Sequence, residues 1–177
     1  NRLSRVIEQV FGTKYFLPAH QGRACENILA ETFVKEGDVV PMNFHFTTTK
    51  AHITRKGGRV EELITAEGLD PNLELPFKGN FDIPRLRALI EEVGPEHVPF
   101  VRIEAGTNLI GGQPISYQNM KEAVALAKEY GVGKLIDAVS PRPIGAKLSD
   151  DKSEIVIEFT DLGTGLIAKG QDPKQSV

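Results

Sequence analysis

The sequence has little cysteine, no basic excess and no long apolar run, and each shortage excludes a class of protein. Cys25 is the single cysteine, so no disulfide can form within the chain, and we expect a reducing, cytoplasmic compartment. No apolar run approaches the roughly 18 residues that a membrane-spanning helix needs. With 21 Lys and Arg against 24 Asp and Glu, the chain lacks the positive charge typical of proteins that bind nucleic acids or anionic membranes.

The rest of the composition is that of an ordinary globular chain. Of the 177 residues, 40% are hydrophobic and 25% are charged, which excludes a disordered or collagen-like protein. This length predicts one domain, or one domain with an appendage. Because the sequence begins at Asn1 without an initiator methionine, we expect it to be part of a longer protein.

Apolar residues recur at helical spacing in several stretches, and β-like stretches lie between them. The helical pattern predicts helices over residues 3–10, 24–34, 83–93 and 117–130. The β-like pattern predicts strands over residues 39–42, 60–64, 98–104 and 134–136. Such alternation of strands and helices indicates an α/β fold with a largely parallel sheet.

The character of the sequence changes near residue 140. The run Ser140-Pro141-Arg142-Pro143 interrupts regular structure, and residues 155–159 alternate as a strand does before a Gly163-Thr164-Gly165 turn. We therefore predict an α/β domain over residues 1–139 and a β-rich tail over residues 140–177.

The segment Phe44–Thr49 alternates and ends in β-branched threonines, which favours an extended conformation. His45 and His52 flank these threonines, but their spacing matches no standard metal-ligand pattern. We interpret both as polar histidines at strand edges and predict no metal site. The sequence also lacks the G-x-S-x-G motif of serine hydrolases.

Gln21, Gly22 and Arg23 lie between a strand-like run and a predicted helix. A glycine at this point lets the backbone approach an anion, the first amides of the helix point outward, and the arginine adds positive charge. The triplet therefore suits a phosphate group. An ordinary strand–helix turn with a surface arginine is the alternative interpretation.

Polar residues end two of the predicted strands. Asp137 closes the strand over residues 134–136, and Asn108 follows the strand over residues 98–104. Ligands of open α/β sheets bind at the carboxyl ends of strands, where a carboxylate can hold a cationic ring nitrogen or a metal. A helix cap or turn residue is the alternative for each.

Five segments in this order resemble the tryptophanase and tyrosine phenol-lyase family, and the resemblance covers about residues 3–139. The fourth segment is the least specific of the five. The segments are His20-Gln21-Gly22-Arg23-Ala24-Cys25-Glu26-Asn27, Phe44-His45-Phe46-Thr47-Thr48-Thr49, Phe77-Lys78-Gly79-Asn80-Phe81-Asp82, Glu91-Glu92-Val93-Gly94-Pro95 and Asn108-Leu109-Ile110-Gly111-Gly112-Gln113-Pro114.

The resemblance implies the aspartate-aminotransferase fold and a pyridoxal phosphate cofactor, with cleavage at Cβ of an aromatic amino acid. By position, Gln21, Gly22 and Arg23 would hold the cofactor phosphate, and Phe46 would stack on its ring. Thr47 would lie beside the amino-acid substrate. Asn108 would bond the ring oxygen, and Asp137 would pair with the ring nitrogen, whose protonation makes the cofactor an electron sink. The family also builds its sites between subunits, which makes a homo-oligomer an expectation.

The sequence departs from the family at three points. Ser140 stands where the family has an arginine that contacts the cofactor, three residues after the aspartate. The serine-lysine-lysine motif that contains the cofactor-binding lysine is absent, and the tyrosine that protonates the leaving group lies before Asn1. We assign the role of that lysine to none of Lys147, Lys152, Lys169 and Lys174. A lone chain of this sequence should therefore be a poor catalyst.

The tail is similar to a β segment of sialate O-acetylesterases but carries no catalytic motif of those enzymes, and a generic hairpin explains it as well. Two hypotheses follow for the whole chain. The first is a part or a variant of a β-eliminating enzyme. The second is a non-catalytic α/β binding or interaction module whose tail mediates assembly.

Overall fold

The computed structural model describes residues 2–12, 15, 17–137, 143–148 and 155–159. The helices are α1 Arg2–Phe11, α2 Gly22–Phe33, α3 Thr47–Arg55, α4 Ile83–Val93 and α5 Tyr117–Glu129. Short 3-10 turns occupy Ala66–Leu69, Pro95–His97 and Asn108–Ile110. The strands are β1 Val39–Met42, β2 Arg59–Glu62, β3 Phe100–Glu104, β4 Gly106–Thr107, β5 Gln113–Pro114, β6 Gly133–Asp137, β7 Pro143–Leu148 and β8 Ile155–Phe159.

Six of these strands form one sheet in the order β2-β1-β3-β6-β8-β7. Neighbouring strands pair in parallel throughout, except that β7 runs antiparallel to β8. Strands β4 and β5 form a separate two-stranded ribbon. The predicted α/β class with a mostly parallel sheet is confirmed.

The side chains of strand β3 alternate between the two faces of the sheet and contact different helices on each face. Successive side chains of a strand point to opposite faces. Val101 and Ile103 join the larger apolar cluster, which contains the buried faces of α4 and α5. Phe100 joins the smaller cluster, formed by α2, α3 and β1. The sheet therefore has one helix pair packed on each face, as a parallel sheet requires.

The larger cluster is the main apolar core. Leu86 and Ile90 of α4 and Ala123 of α5 are fully buried in it. Burial of a leucine or isoleucine side chain contributes about 1.5–3 kcal/mol to folding. The spacing of these residues is the helical period that the sequence shows, so the sequence correctly predicts both helices.

The prediction for residues 44–49 is wrong, because Thr47 begins helix α3 rather than extending a strand. His52 consequently lies within that helix and at no strand edge. β-Branched residues are only moderately unfavourable in a helix, and tertiary contacts override such preferences. Here Glu26 of α2 supplies the contact, since its carboxylate accepts hydrogen bonds from the hydroxyls of Thr48 and Thr49 at 2.5 Å each.

The tail strands extend the same sheet. Strand β8 pairs with β6 through the register of Asp137 with Ile157, and β7 forms the edge beside β8. The glycine turn at residues 163–165 and Ser140 lie outside the described residues. The division of the chain near residue 140 stays a prediction.

Over the described residues, no helix combines the length and the apolar character that crossing a bilayer requires.

Candidate functional site

The carboxyl ends of three neighbouring strands meet at one edge of the sheet. Met42, the last residue of β1, is in register with Arg102 of β3, and Glu104 at the end of β3 is in register with Asp137 at the end of β6. Phe46 follows β1 and Asn108 follows β3 after short turns. The fold thus places these predicted site positions along the edge where ligands of parallel α/β sheets bind.

Helix α2 also begins at this edge, because it leads through a turn into the start of β1 and packs back along it. Its N-cap residue, Gln21, has an extended backbone and makes no side-chain capping bond. Gly22 and Arg23 are the first two helical residues, and the first amides of a helix have no acceptor within it. Gln21 and Arg23 are exposed. This arrangement presents amide groups and a guanidinium to an anion.

Helix α3 begins in the same way. Phe46 is its N-cap, with an extended backbone and no side-chain capping bond, and it is partly buried. Thr47, the first helical residue, is exposed. The two hydroxyl contacts of Glu26 tie this first turn to α2. The turn that contains Phe46, the predicted ring-stacking residue, and Thr47, the predicted substrate residue, is therefore held to α2.

Asn108 lies on a loop that is held by hydrogen bonds of its main chain to nearby side chains and carbonyls. Its amide donates a hydrogen bond to Glu104 Oε1 at 3.1 Å, while the residue itself is exposed. The Gly112 amide donates to the Thr107 carbonyl at 3.0 Å, and the Thr107 hydroxyl donates to the Gln113 carbonyl at 2.9 Å. Gly111 and Gly112 have φ of 84° and 71°, a region that residues with a side chain rarely adopt. The paired glycines are thus required for this turn.

Asp137 is placed by its backbone, since it is the last residue of β6 and pairs in register on both sides. Its side chain lies outside the described part of the structure. The pairing of this carboxylate with a ring nitrogen stays a prediction.

Sequence reasoning missed a buried polar cluster beside Asn108. Arg102 and Glu104 are almost completely buried, and Arg102 Nη1 lies 3.1 Å from Glu104 Oε2. The Asn43 side chain accepts from the Glu104 amide and donates to the Glu104 carbonyl, at 2.8 Å each. The available signal was two charges at alternate positions of an otherwise apolar strand.

The third motif of the resemblance is structural. The Gly79 amide donates to the Pro114 carbonyl at 2.9 Å, and a Cβ at this glycine would lie 2.4 Å from the Gln113 carbonyl oxygen. Asn80 Oδ1 accepts from the Ser116 amide at 2.8 Å, and Asp82 caps α4. This segment therefore supports the loop that carries Asn108.

The histidines form no metal centre in the described part of the chain, where no group of three or more potential ligands occurs. His45 Nδ1 lies against Glu62 Oε1, which is also 3.5 Å from Lys50 Nζ. His45 stacks on Phe44 with ring centroids 5.3 Å apart. These contacts place His45 beside Phe44 and against the last residue of strand β2.

Comparison with known proteins gives consistent matches. A family model described as beta-eliminating lyase matches residues 1–140. The tyrosine phenol-lyase of Pasteurella multocida is 43% identical over 136 residues, which covers 77% of this chain and 30% of that enzyme. The tyrosine phenol-lyase of Lacrimispora saccharolytica is 39% identical over 180 residues, covering 96% of this chain and 38% of that enzyme. The chain therefore spans about a third of the length of these curated relatives.

Solved structures resemble the chain at much lower identity. Aspartate aminotransferase from Thermus thermophilus has a TM-score of 0.59 at 18% identity and matches 76% of this chain and 33% of its own. Cystalysin from Treponema denticola has a TM-score of 0.58 at 10% identity and matches 77% of this chain and 33% of its own. These likenesses show the fold alone, and they confirm the predicted aspartate-aminotransferase fold.

The family match extends through the motifs that the sequence analysis singled out, from the Gln21 turn to the end of β6. The family model ends at residue 140, whereas the alignment with the Lacrimispora saccharolytica enzyme covers 96% of the chain and so continues into the tail. The chain belongs to the beta-eliminating lyase family.

Proposed function

We propose that this chain is the cofactor-binding part of a pyridoxal-phosphate-dependent lyase that cleaves at Cβ of an aromatic amino acid. One observation carries the proposal. The uncapped start of α2, with Arg23 exposed on it, lies at the same sheet edge as Phe46, Asn108 and Asp137.

The donor set at this edge fits the cofactor. Free amides and a guanidinium at Gln21, Gly22 and Arg23 suit a phosphate dianion. Phe46 offers a flat apolar face, and the side-chain Nδ2 group of Asn108 would donate to the ring oxygen. The carboxylate of Asp137 would keep the ring nitrogen protonated. Bound pyridoxal phosphate supplies an electron sink for the substrate carbanion.

Other residues of the chain bear on substrate binding and on turnover. Thr47, exposed at the first turn of α3, would contact the amino-acid substrate. The family's cofactor-binding lysine and its acid tyrosine have no counterpart in these 177 residues. We therefore propose that this chain by itself binds the cofactor without turnover. We further propose a cytoplasmic protein that assembles as a homo-oligomer.

Titration of the 177-residue chain with pyridoxal phosphate tests the proposal, in a buffer without competing phosphate. We expect saturable binding, which the absorbance of the cofactor measures. Pyridoxal, which lacks the phosphate, is the matched ligand and should bind more weakly because it makes no contact with the α2 turn. Absence of binding, or equal affinity for the two ligands, would contradict the proposed cofactor site.

Borohydride reduction followed by mass mapping examines the missing lysine. A covalent link between the cofactor and a lysine would be trapped on one peptide. We expect no lysine to be labelled preferentially. A single labelled lysine would show that another residue has taken over the role and that the chain can react.

A further inference from the structure

We propose that Glu104 is a positioning residue, which fixes the main chain at Asn108 so that the exposed Asn108 side chain faces the bound cofactor. The inference rests on the proposed function, since it concerns how that site is held. Glu104 is fully buried at the end of β3, and its Oε1 accepts the Asn108 amide at 3.1 Å.

Stability alone does not account for charges at this point. Burying an arginine and a glutamate removes both from water, and apolar residues of similar volume usually do as well or better. Arg102 and Glu104 lie on the same face of β3 as Phe100, which is packed in an apolar cluster. The buried carboxylate provides something that an apolar side chain lacks, namely an acceptor for a main-chain amide.

The carboxylate is itself held on two sides. Arg102 Nη1 bonds Oε2, which leaves Oε1 for the Asn108 amide. The Asn43 side chain bonds both the amide and the carbonyl of Glu104, and it also donates to the Gly79 carbonyl at 2.8 Å. Because Asn43 directly follows β1, the cluster fixes the Asn108 loop relative to the strand that leads to Phe46.

A pair of double variants isolates the acceptor. Arg102→Met removes the buried positive charge that pairs with Glu104, so that Glu104→Gln or Glu104→Met then leaves no arginine facing a neutral side chain. Glutamine and methionine have nearly the same size, but only glutamine can accept the Asn108 amide. The two proteins therefore differ in the acceptor for the Asn108 amide and in the NH2 group that glutamine carries.

The first measurement is hydrogen exchange at the Asn108 amide without ligand. With Glu104→Met we expect this amide to exchange about tenfold faster than with Glu104→Gln, in keeping with a lost buried hydrogen bond. Equal rates in the two proteins would overturn the proposal.

The second measurement is affinity for pyridoxal phosphate. With Glu104→Met we expect binding to be several-fold weaker than with Glu104→Gln, and we expect the difference to vanish when Asn108→Ala is added to both. A merely structural role would leave the difference unchanged in the Asn108→Ala background, and that result would overturn the proposal.

Glu61, which is only partly buried, supplies the matched control, since Arg59 Nη1 and Glu61 Oε2 are 2.8 Å apart with the same spacing on β2. Glu61→Gln should leave the affinity unchanged. Failure of the unaltered chain to bind the cofactor would count against the proposed function. Binding by the unaltered chain, with no difference between the two double variants, would count against the role of Glu104 alone.

Discussion

The helices on the two faces of the sheet begin differently. On one face, Asp82 Oδ1 accepts the Arg85 amide at 3.0 Å and Ser116 Oγ accepts the Asn119 amide at 3.1 Å, so α4 and α5 are capped by their own side chains. On the other face, α2 and α3 start at Gln21 and Phe46 with no side-chain cap. Each of the four helices runs antiparallel to the parallel strand next to it in the chain, so all four begin at the carboxyl edge of the sheet.

We interpret this difference as one between the scaffold and the proposed cofactor site. A cap satisfies amides that would otherwise lack a partner, and it is worth about 1 kcal/mol to the protein. Helices α4 and α5 gain that stabilisation from Asp82 and Ser116. Helices α2 and α3 lack such a cap, and they begin at two of the motifs that the family resemblance assigns to the cofactor. The comparison predicts that changes at the two kinds of helix start affect different properties.

The largest effect should come from Arg23→Ala. Loss of a charge-assisted contact to phosphate costs about 1.5–3 kcal/mol, which is roughly 10- to 150-fold in affinity. Titration with pyridoxal phosphate measures it. Arg85→Ala is the matched control, because Arg85 is exposed in the first turn of capped α4. Equal losses for the two variants would show that the arginine at the uncapped helix has no special part in binding.

Asp82→Ala and Ser116→Ala should each lower the free energy of unfolding by about 1 kcal/mol, since each removes a helix cap. Urea denaturation gives the values. Gln21→Ala serves as the reference and should change the stability little, because Gln21 makes no capping bond. A loss at Gln21 as large as that at Asp82 would remove the distinction between the two faces.

Gln21→Asp should move stability and binding in opposite directions. An aspartate at the N-cap can accept an amide of the first turn and interacts favourably with the helix dipole, so we expect a gain of up to about 1 kcal/mol. The same negative charge repels phosphate and competes for the amides, so the affinity for pyridoxal phosphate should fall. A variant that is stabilised and binds as before would place the phosphate elsewhere.

The smallest expected effect is on the pH dependence of stability. Hydrogen bonds from Arg87 at 2.7 and 2.8 Å hold the pKa of Glu129 below its ordinary value, and the Lys56 contact does the same for the pKa of Glu31. A carboxyl whose pKa is lower in the folded protein stabilises it above the pKa of the unfolded chain, and that contribution is lost as the pH falls. Thermal unfolding from about pH 6 to pH 3 measures this loss.

Glu129→Gln and Glu31→Gln should each flatten the pH dependence slightly. Both side chains are exposed, so the changes should be small and similar on the two faces of the sheet. A strong asymmetry between the two variants would mean that the faces differ in more than the starts of their helices.

Helices α4 and α5 could be predicted from the sequence because short-range interactions determine where they begin and which face is apolar. The Asp82 cap, the apolar period of α4 and the Ser116 start all act within a few residues, and the structure has each of them. The Thr47–Thr49 turn was mistaken for a strand because its helix depends on Glu26, more than 20 residues away in the chain. The role of Glu104 was missed for the same reason, since Asn43 lies 61 residues away from it.

The two faces of strand β3 also restrict how this strand can pair within the sheet. Its two faces are chemically unlike: Val101 and Ile103 face apolar helices, whereas Arg102 and Glu104 pair on the other side. A slip of one residue in its pairing with β1 and β6 would turn both charges into the larger apolar cluster, where the burial of charged groups is costly. The two buried charges therefore disfavour a shifted register of this strand relative to the one observed.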